Sequence, residues 1–188
     1  MAKAKQKAAI SKHRAKSRSA AVPQDAVALL KADHRQVEQW FEQFESTRSN
    51  DRKSKLAKQI CQALTVHTEI EEEIFYPAFL AATEDKDMHH EAAVEHDGAK
   101  KLIAEIEASG PNDDYYDAKV KVLSEMIKHH VKEEEKPGTG LFSQARKAGL
   151  DMDALGARMK ARKTELVAAY KASGVPTPDL TTMTEVTL

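Results

Sequence analysis

One pattern is written twice in this chain: a lone histidine, then His-x-x-x-Glu about one helical hairpin later. The first copy is His34 with His67 and Glu71; the second is His96 with His130 and Glu134. The separations are 33 and 34 residues within the copies, and 62 to 63 between equivalent positions. The flanks echo each other as well. Asp33-His34 answers Glu95-His96, and the acidic run ending at Glu73 after His67 answers the run ending at Glu135 after His130. Such a chain is constrained to set two related halves face to face. Each half offers two imidazoles and one carboxylate at helical spacing, around a shared pair of metal ions.

The remaining composition agrees with helices. At 188 residues the chain suits one domain plus tails, with only 7 Gly, 6 Pro and 5% aromatic residues. Few turn formers among many Ala, Lys, Glu and Leu favour an all-α fold. A lone cysteine, Cys61, allows no internal disulfide and points to a reducing, cytoplasmic setting. No apolar run approaches the roughly 20 residues of a membrane span, so no membrane partner is expected. The net charge of −1 hides an asymmetry, because residues 1–20 hold seven Lys or Arg and no acid. Residues 1–22 therefore read as a disordered basic arm. A solvated tail is the plain reading, and weak, sequence-independent contact with nucleic acid is the sharper one.

Apolar periodicity places the helices. Leu30, His34, Val37, Phe41 and Phe44 form one stripe from about Asp25, a capping residue, to Glu45. A second helix runs from about Arg52 to Ala81, with Leu56, Ile60, Ala63, His67, Glu71 and Ile74 aligned and Pro77 disturbing its last turn. Asp87 is the expected cap of a third helix carrying Ala92, His96, Ala99, Ile103 and Ile106. A fourth begins near Asp113 or Asp114, carries Val120, Leu123, Ile127, His130 and Glu134, and stops at Pro137-Gly138-Thr139-Gly140. A short turn at Leu141–Lys147 comes next, then a last helix, capped by Asp151 or Asp153, to about Ala172. Helices of this length with short connections pack as an antiparallel up-down-up-down four-helix bundle with an extra C-terminal helix. The bundle spans 23–148, the C-terminal helix 149–172, and a flexible tail 173–188.

Residues i and i+4 share a helix face, so His67 with Glu71 and His130 with Glu134 point at one region. His34 and His96 face the same core. Four imidazoles and two carboxylates exceed what one tetrahedral zinc takes and suit two ions sharing carboxylates. With no thiolate among them, the ligands suit iron or manganese, and zinc remains open. A lone core histidine is commonly just hydrogen-bonded, but unpaired buried glutamates are costly, and matched positions in two halves make coincidence a poor account.

The pattern H…HxxxE…H…HxxxE resembles that of the hemerythrin-like, HHE cation-binding proteins. The segments carrying it are 33–38, 67–77, 95–96 and 129–135, within about residues 24–145. The resemblance implies a non-haem di-iron centre with Glu71 and Glu134 bridging and His34, His67, His96 and His130 terminal. It implies binding of, or reaction with, O2, NO or H2O2, in oxidative or nitrosative stress or iron handling. The alternative is a non-catalytic iron- or oxygen-sensing module. One departure matters: oxygen-carrying hemerythrins have HxxxH on the third helix, and Ala92 stands where that extra histidine would be. His89, about 10 Å further along the axis, is too far to replace it. An open position favours reactivity over simple carriage.

The neighbours are sorted by face. Glu38 can serve as a ligand or as support for His34. His129 with Glu133, and likewise Glu69, Glu72, Glu73 and Glu135, read as solvated. His89, His90 and Glu91 read as surface or as a gate. Cys61 reads as a half-buried, unreactive thiol, and Trp40, Phe41, Phe44, Phe75 and Tyr76 as core and end packing.

Overall fold

The structure, a computed structural model, describes residues 25–183. The basic arm at 1–22 and the last five residues of the tail lie outside them. The described residues are helical, without strands. The main helices are α1 (Ala26–Ser46), α2 (Asn50–Ile70), α4 (Lys86–Glu107) and α5 (Tyr116–Glu134). The shorter α3 (Tyr76–Thr83) and α6 (Leu141–Lys147) close one end, and α7 (Met152–Ser173) packs against α1 and α2.

Local chemistry explains the boundaries. Asp25 accepts from the Ala28 N–H at 2.8 Å and starts α1. Ser49 starts α2 through the Arg52 N–H, and Asp151 starts α7 through the Ala154 N–H. The cap of α4 is Asp85, not Asp87; it accepts from the Met88 N–H at 3.2 Å. Glu84 just before it is left-handed (φ 56), so the chain reverses two residues earlier than the sequence suggested. The fourth long helix, by contrast, begins later than expected, at Tyr116.

The expected continuous second helix is broken by a π-helical turn over Glu71–Phe75. There the Tyr76 N–H reaches the Glu71 carbonyl, five residues back. Pro77 comes immediately after and has no N–H to give the helix, which favours this local rewinding. The extra residue in the turn rotates the start of α3 about the helix axis, and Phe75, Tyr76 and Phe79 all become buried.

The core is split in two by a polar layer. One apolar cluster holds Leu30, Ile70, Phe75, Tyr76, Phe142 and the buried residues of α7. The other holds Val37, Phe41, Ile60, Leu64, Ile103 and Leu123. Between Leu30 and Val37 lies His34, and between Leu64 and Ile70 lies His67. Cys61 is fully buried rather than half-buried, and burial, with Glu107 adding, pushes its thiol well above the usual range. No helix among the described residues is long and apolar enough to cross a membrane.

Candidate metal centre

The polar layer is built by one residue or pair from each main helix segment: His34 on α1, His67 and Glu71 at the α2–π junction, His96 on α4, and His130 with Glu134 on α5. All six are buried, at 6% exposure or less. The structure brings them together as two linked groups, His34–His67–Glu71–Glu134 and Glu71–His96–His130. Glu71 belongs to both, and Glu134 lies 3.5 Å from both His34 Nε2 and His130 Nε2.

Every histidine turns Nε2 inward. His34 Nε2 is 3.1 Å from His67 Nε2, and His96 Nε2 is 3.2 Å from His130 Nε2. Glu71 Oε2 stands 3.2 Å from His67 Nε2 and 3.5 Å from His96 Nε2. Three of the outer nitrogens donate to carboxylates: His34 Nδ1 to Glu135 at 2.8 Å, His96 Nδ1 to Glu72 at 3.0 Å and His130 Nδ1 to Glu95 at 2.7 Å. The fourth, His67 Nδ1, faces Asp33 at 3.6 Å, a charge contact too long for a hydrogen bond. Because a carboxylate only accepts, the proton sits on Nδ1 and the Nε2 lone pair points into the layer.

Paired inward lone pairs at such distances repel unless a cation lies between them. The carboxylates carry the same signature, since both oxygens of Glu71 and Oε2 of Glu134 are buried without a hydrogen-bond partner. Orphaned carboxylate oxygens in a dry core are costly, whereas metal ions would satisfy them together with the imidazoles. The residues present thus fit bound metal, with the four histidines and the two glutamates as donors.

The electrostatics are strongly perturbed. Burial, then repulsion from Glu134, pushes the Glu71 carboxyl well above its usual range. Burial, with His67 and His130 adding, holds His34 well below its usual value. Burial likewise lowers His96 to about 4 against the opposing pull of Glu72. For His130 burial is outweighed by the charge of Glu134 and the bond to Glu95, and its value is raised. Clustered shifts of this kind mark functional sites.

The neighbours sort differently from the sequence reading. Glu72 and Glu135 are not solvated faces; they orient His96 and His34. What places Glu72 in this role is its position within the π-turn, which a regular helix would not suggest. Tyr76 is more than packing: its hydroxyl donates to Glu134 Oε1 at 3.1 Å and lies 3.2 Å from His96 Nε2. Glu38 joins neither group and pairs instead with Arg35. His129 is exposed and sits 3.3 Å from Glu95, not Glu133. Ala92 lies beside a cavity of about 180 Å³ that it lines with Glu91, Glu95, His130 and Glu134.

The family model described as the hemerythrin HHE cation binding domain matches residues 25–137. A hemerythrin HHE cation binding domain-containing protein from Mycobacterium kansasii shares the fold, with a TM-score of 0.64 and 18% identity over 80% of this chain and 94% of that one. A DNA nickase from Nostoc sp. is 27% identical over 110 residues, which are 57% of this chain. The match spans only 30% of the length of that relative.

Proposed function

Because the chain belongs to the hemerythrin HHE cation-binding family, we propose that its cations are two non-haem irons and that the pair reacts with a small molecule: O2, NO or H2O2. The observation that carries this reading is the convergence of four inward Nε2 atoms and three orphaned carboxylate oxygens in one buried layer. His34 and His67 would hold one ion, His96 and His130 the other, with Glu71 and Glu134 shared. Manganese or zinc fits the same donors, but imidazole with carboxylate and no thiolate suits iron. When bound, the irons would supply the electrons and the vacant position that a diatomic or a peroxide requires.

The chain's own residues set the approach. Phe142 stacks on His34 at 5.9 Å between ring centroids, and Phe75 packs edge-on against Phe142, so water is excluded from that side. On the other side Ala92 leaves room, and the small cavity there reaches His130 and Glu134. Tyr76 keeps its proton, since burial and then Glu134 hold its hydroxyl well above the usual range. From beside His96 it can offer that hydrogen bond to a ligand in the open position. We place this activity in the cytoplasm, in stress defence or iron handling.

A second reading, binding without turnover, has the centre sense iron or oxygen through the order of the helices, because loss of metal would loosen them. A role near DNA draws on the basic residues before position 20 and on the nickase relative. Salt-dependent DNA affinity left unchanged by removal of residues 1–20 would sink the basic arm's part in that role.

Elemental analysis of freshly purified protein, with absorption spectra before and after peroxide, tests the main reading. The expected result is two irons per chain and a charge-transfer band that peroxide changes, with at least half the iron lost in His67→Ala and Glu134→Ala. No iron, or one zinc with a silent spectrum, would retire it. Iron that peroxide and NO leave untouched would favour the sensor.

A further inference from the structure

The repeat fails at two positions beside the centre. Asp97, next to His96, answers Arg35, and Lys100 answers Glu38. In the first half Arg35 and Lys31 of α1 pair with Glu135, the carboxylate that orients His34. In the second half Lys100 of α4 pairs with Glu72, the carboxylate that orients His96, and the C-terminal segment holds Lys100.

Asp97 is fully buried, yet charged. It accepts from the backbone N–H groups of Thr181 (3.2 Å), Thr182 (2.5 Å) and Met183 (3.0 Å), and from the Thr182 hydroxyl (2.8 Å). These bonds hold its carboxyl below the usual range against the effect of burial. Three residues further along α4, Lys100 donates to the Asp179 carbonyl at 3.1 Å and to Glu72 Oε2 at 2.8 Å. The other oxygen of Glu72 receives His96 Nδ1. A continuous line of contacts thus runs from residues 179–183 through Lys100 and Glu72 to His96.

The segment from Gly174 to Met183 is fixed mainly at its end. It bridges a hollow of about 420 Å³, lined by Glu72, Lys100, Ile103, Val175, Pro178 and Thr181 among others. None of its residues is fully buried. A segment held by hydrogen bonds over a hollow, with little apolar burial, opens at low cost compared with a core helix.

We infer that residues 174–183 are a strap that keeps Lys100 on Glu72 and so governs how firmly His96 holds its ion. The inference rests on the metal reading above. The strap makes the two ion positions unequal. The His34–His67 position is supported from α1, α5 and, through Lys163 on Asp33, α7, none of which the strap holds, whereas the His96–His130 position tightens when the strap is seated and loosens when it lifts. Disturbing the partner of a ligand's outer nitrogen commonly changes metal affinity 10–100-fold, so the effect is large enough to read.

The test is metal release from the full chain, from a chain ending at Ser173, and from Thr182→Pro, which removes one N–H and the hydroxyl from the latch. Each is loaded with zinc or ferrous iron, its uptake is counted, and a chelator is added. Two phases of equal size are expected from the full chain. The His96–His130 phase should accelerate about tenfold in both variants, while the other phase stays put. Lys100→Met should give the same acceleration in the full chain and add nothing to the shortened one. Equal release rates in full and shortened chains that both take up two ions would overturn the strap alone. So would acceleration of both phases together. A chain that takes up no ions overturns the metal reading and the strap with it.

Discussion

Glu72 and His96 stand 24 residues apart, in different halves of the repeat, and are joined by a 3.0 Å hydrogen bond. Glu135 and His34 repeat the relationship in reverse, at 2.8 Å. Each half therefore steadies the first histidine of the other. The carboxylate that does so directly succeeds the glutamate turned into the layer, so of two adjacent residues one faces the buried layer and the other the outer nitrogen of a histidine across the repeat.

Removing either crossed support should weaken the centre without removing a ligand. Glu72→Ala and Glu135→Ala are each expected to lower metal affinity about 10–100-fold. Glu38→Ala, which removes a partner of Arg35 and no support of a ligand, should change it little. Competition with a chelator of known affinity reads all three. Wild-type affinity in both of the first two variants would leave the outer carboxylates as mere surface charge.

The perturbed groups give metal uptake a particular pH dependence. Near pH 6 the metal-free Glu71 carboxyl and His130 hold protons more readily than free groups do, because burial and Glu134 raise the first, and Glu134 and Glu95 raise the second against burial. His96, lowered to about 4, is already neutral there, and His34 is also held well below its usual value. Binding needs the deprotonated forms, so uptake releases protons from the raised groups and affinity rises with pH. We expect net proton release on metal uptake near pH 6. Calorimetry in two buffers of different ionisation enthalpy measures this; no release, or release matching four ordinary histidines, would contradict the assignment.

The turn after α5 carries its own constraint. A Cβ on Gly140 would stand 2.5 Å from the Glu133 carbonyl oxygen and 2.6 Å from that of Glu134. Neither is a flexible side-chain end, so Gly140→Ala must shift the backbone of Glu134 itself. A loss of about 1–3 kcal/mol is expected, as for other overpacked sites, together with weaker metal binding. Chemical denaturation of the metal-free chain separates the two effects; unchanged stability would mean that the turn simply relaxes.

The helices and the six inward side chains were legible because both obey simple periods. His34 shares its stripe with Leu30 and Val37, and His67 with Glu71 obeys the i, i+4 rule. The supporting shell was not legible, because Glu72 and Glu135 lie one residue off that stripe and look solvated to any regular helical projection. The π-turn at Glu71–Phe75 is the physical reason on one side, as it breaks the 3.6-residue period that the projection assumes. Tyr76 was missed for the same reason. Long-range latches such as Asp97 with Thr182, 85 residues apart, leave no periodic trace at all.

Ala92 supplies the last test, since it occupies the place of the absent fifth histidine. It is buried and borders the cavity of about 180 Å³ that reaches His130 and Glu134. Ala92→His would place an imidazole in that space, one helical turn before His96 and on the same face. If the open position is where small molecules arrive, the substitution should keep two metal ions per chain while slowing azide binding or peroxide reaction at least tenfold. Stopped-flow absorption at matched metal content decides the matter. Undiminished rates would move the approach elsewhere, away from α4. Loss of one ion would instead mean that the new ring displaces the Tyr76 hydroxyl and His96 from their present contact, 3.2 Å apart.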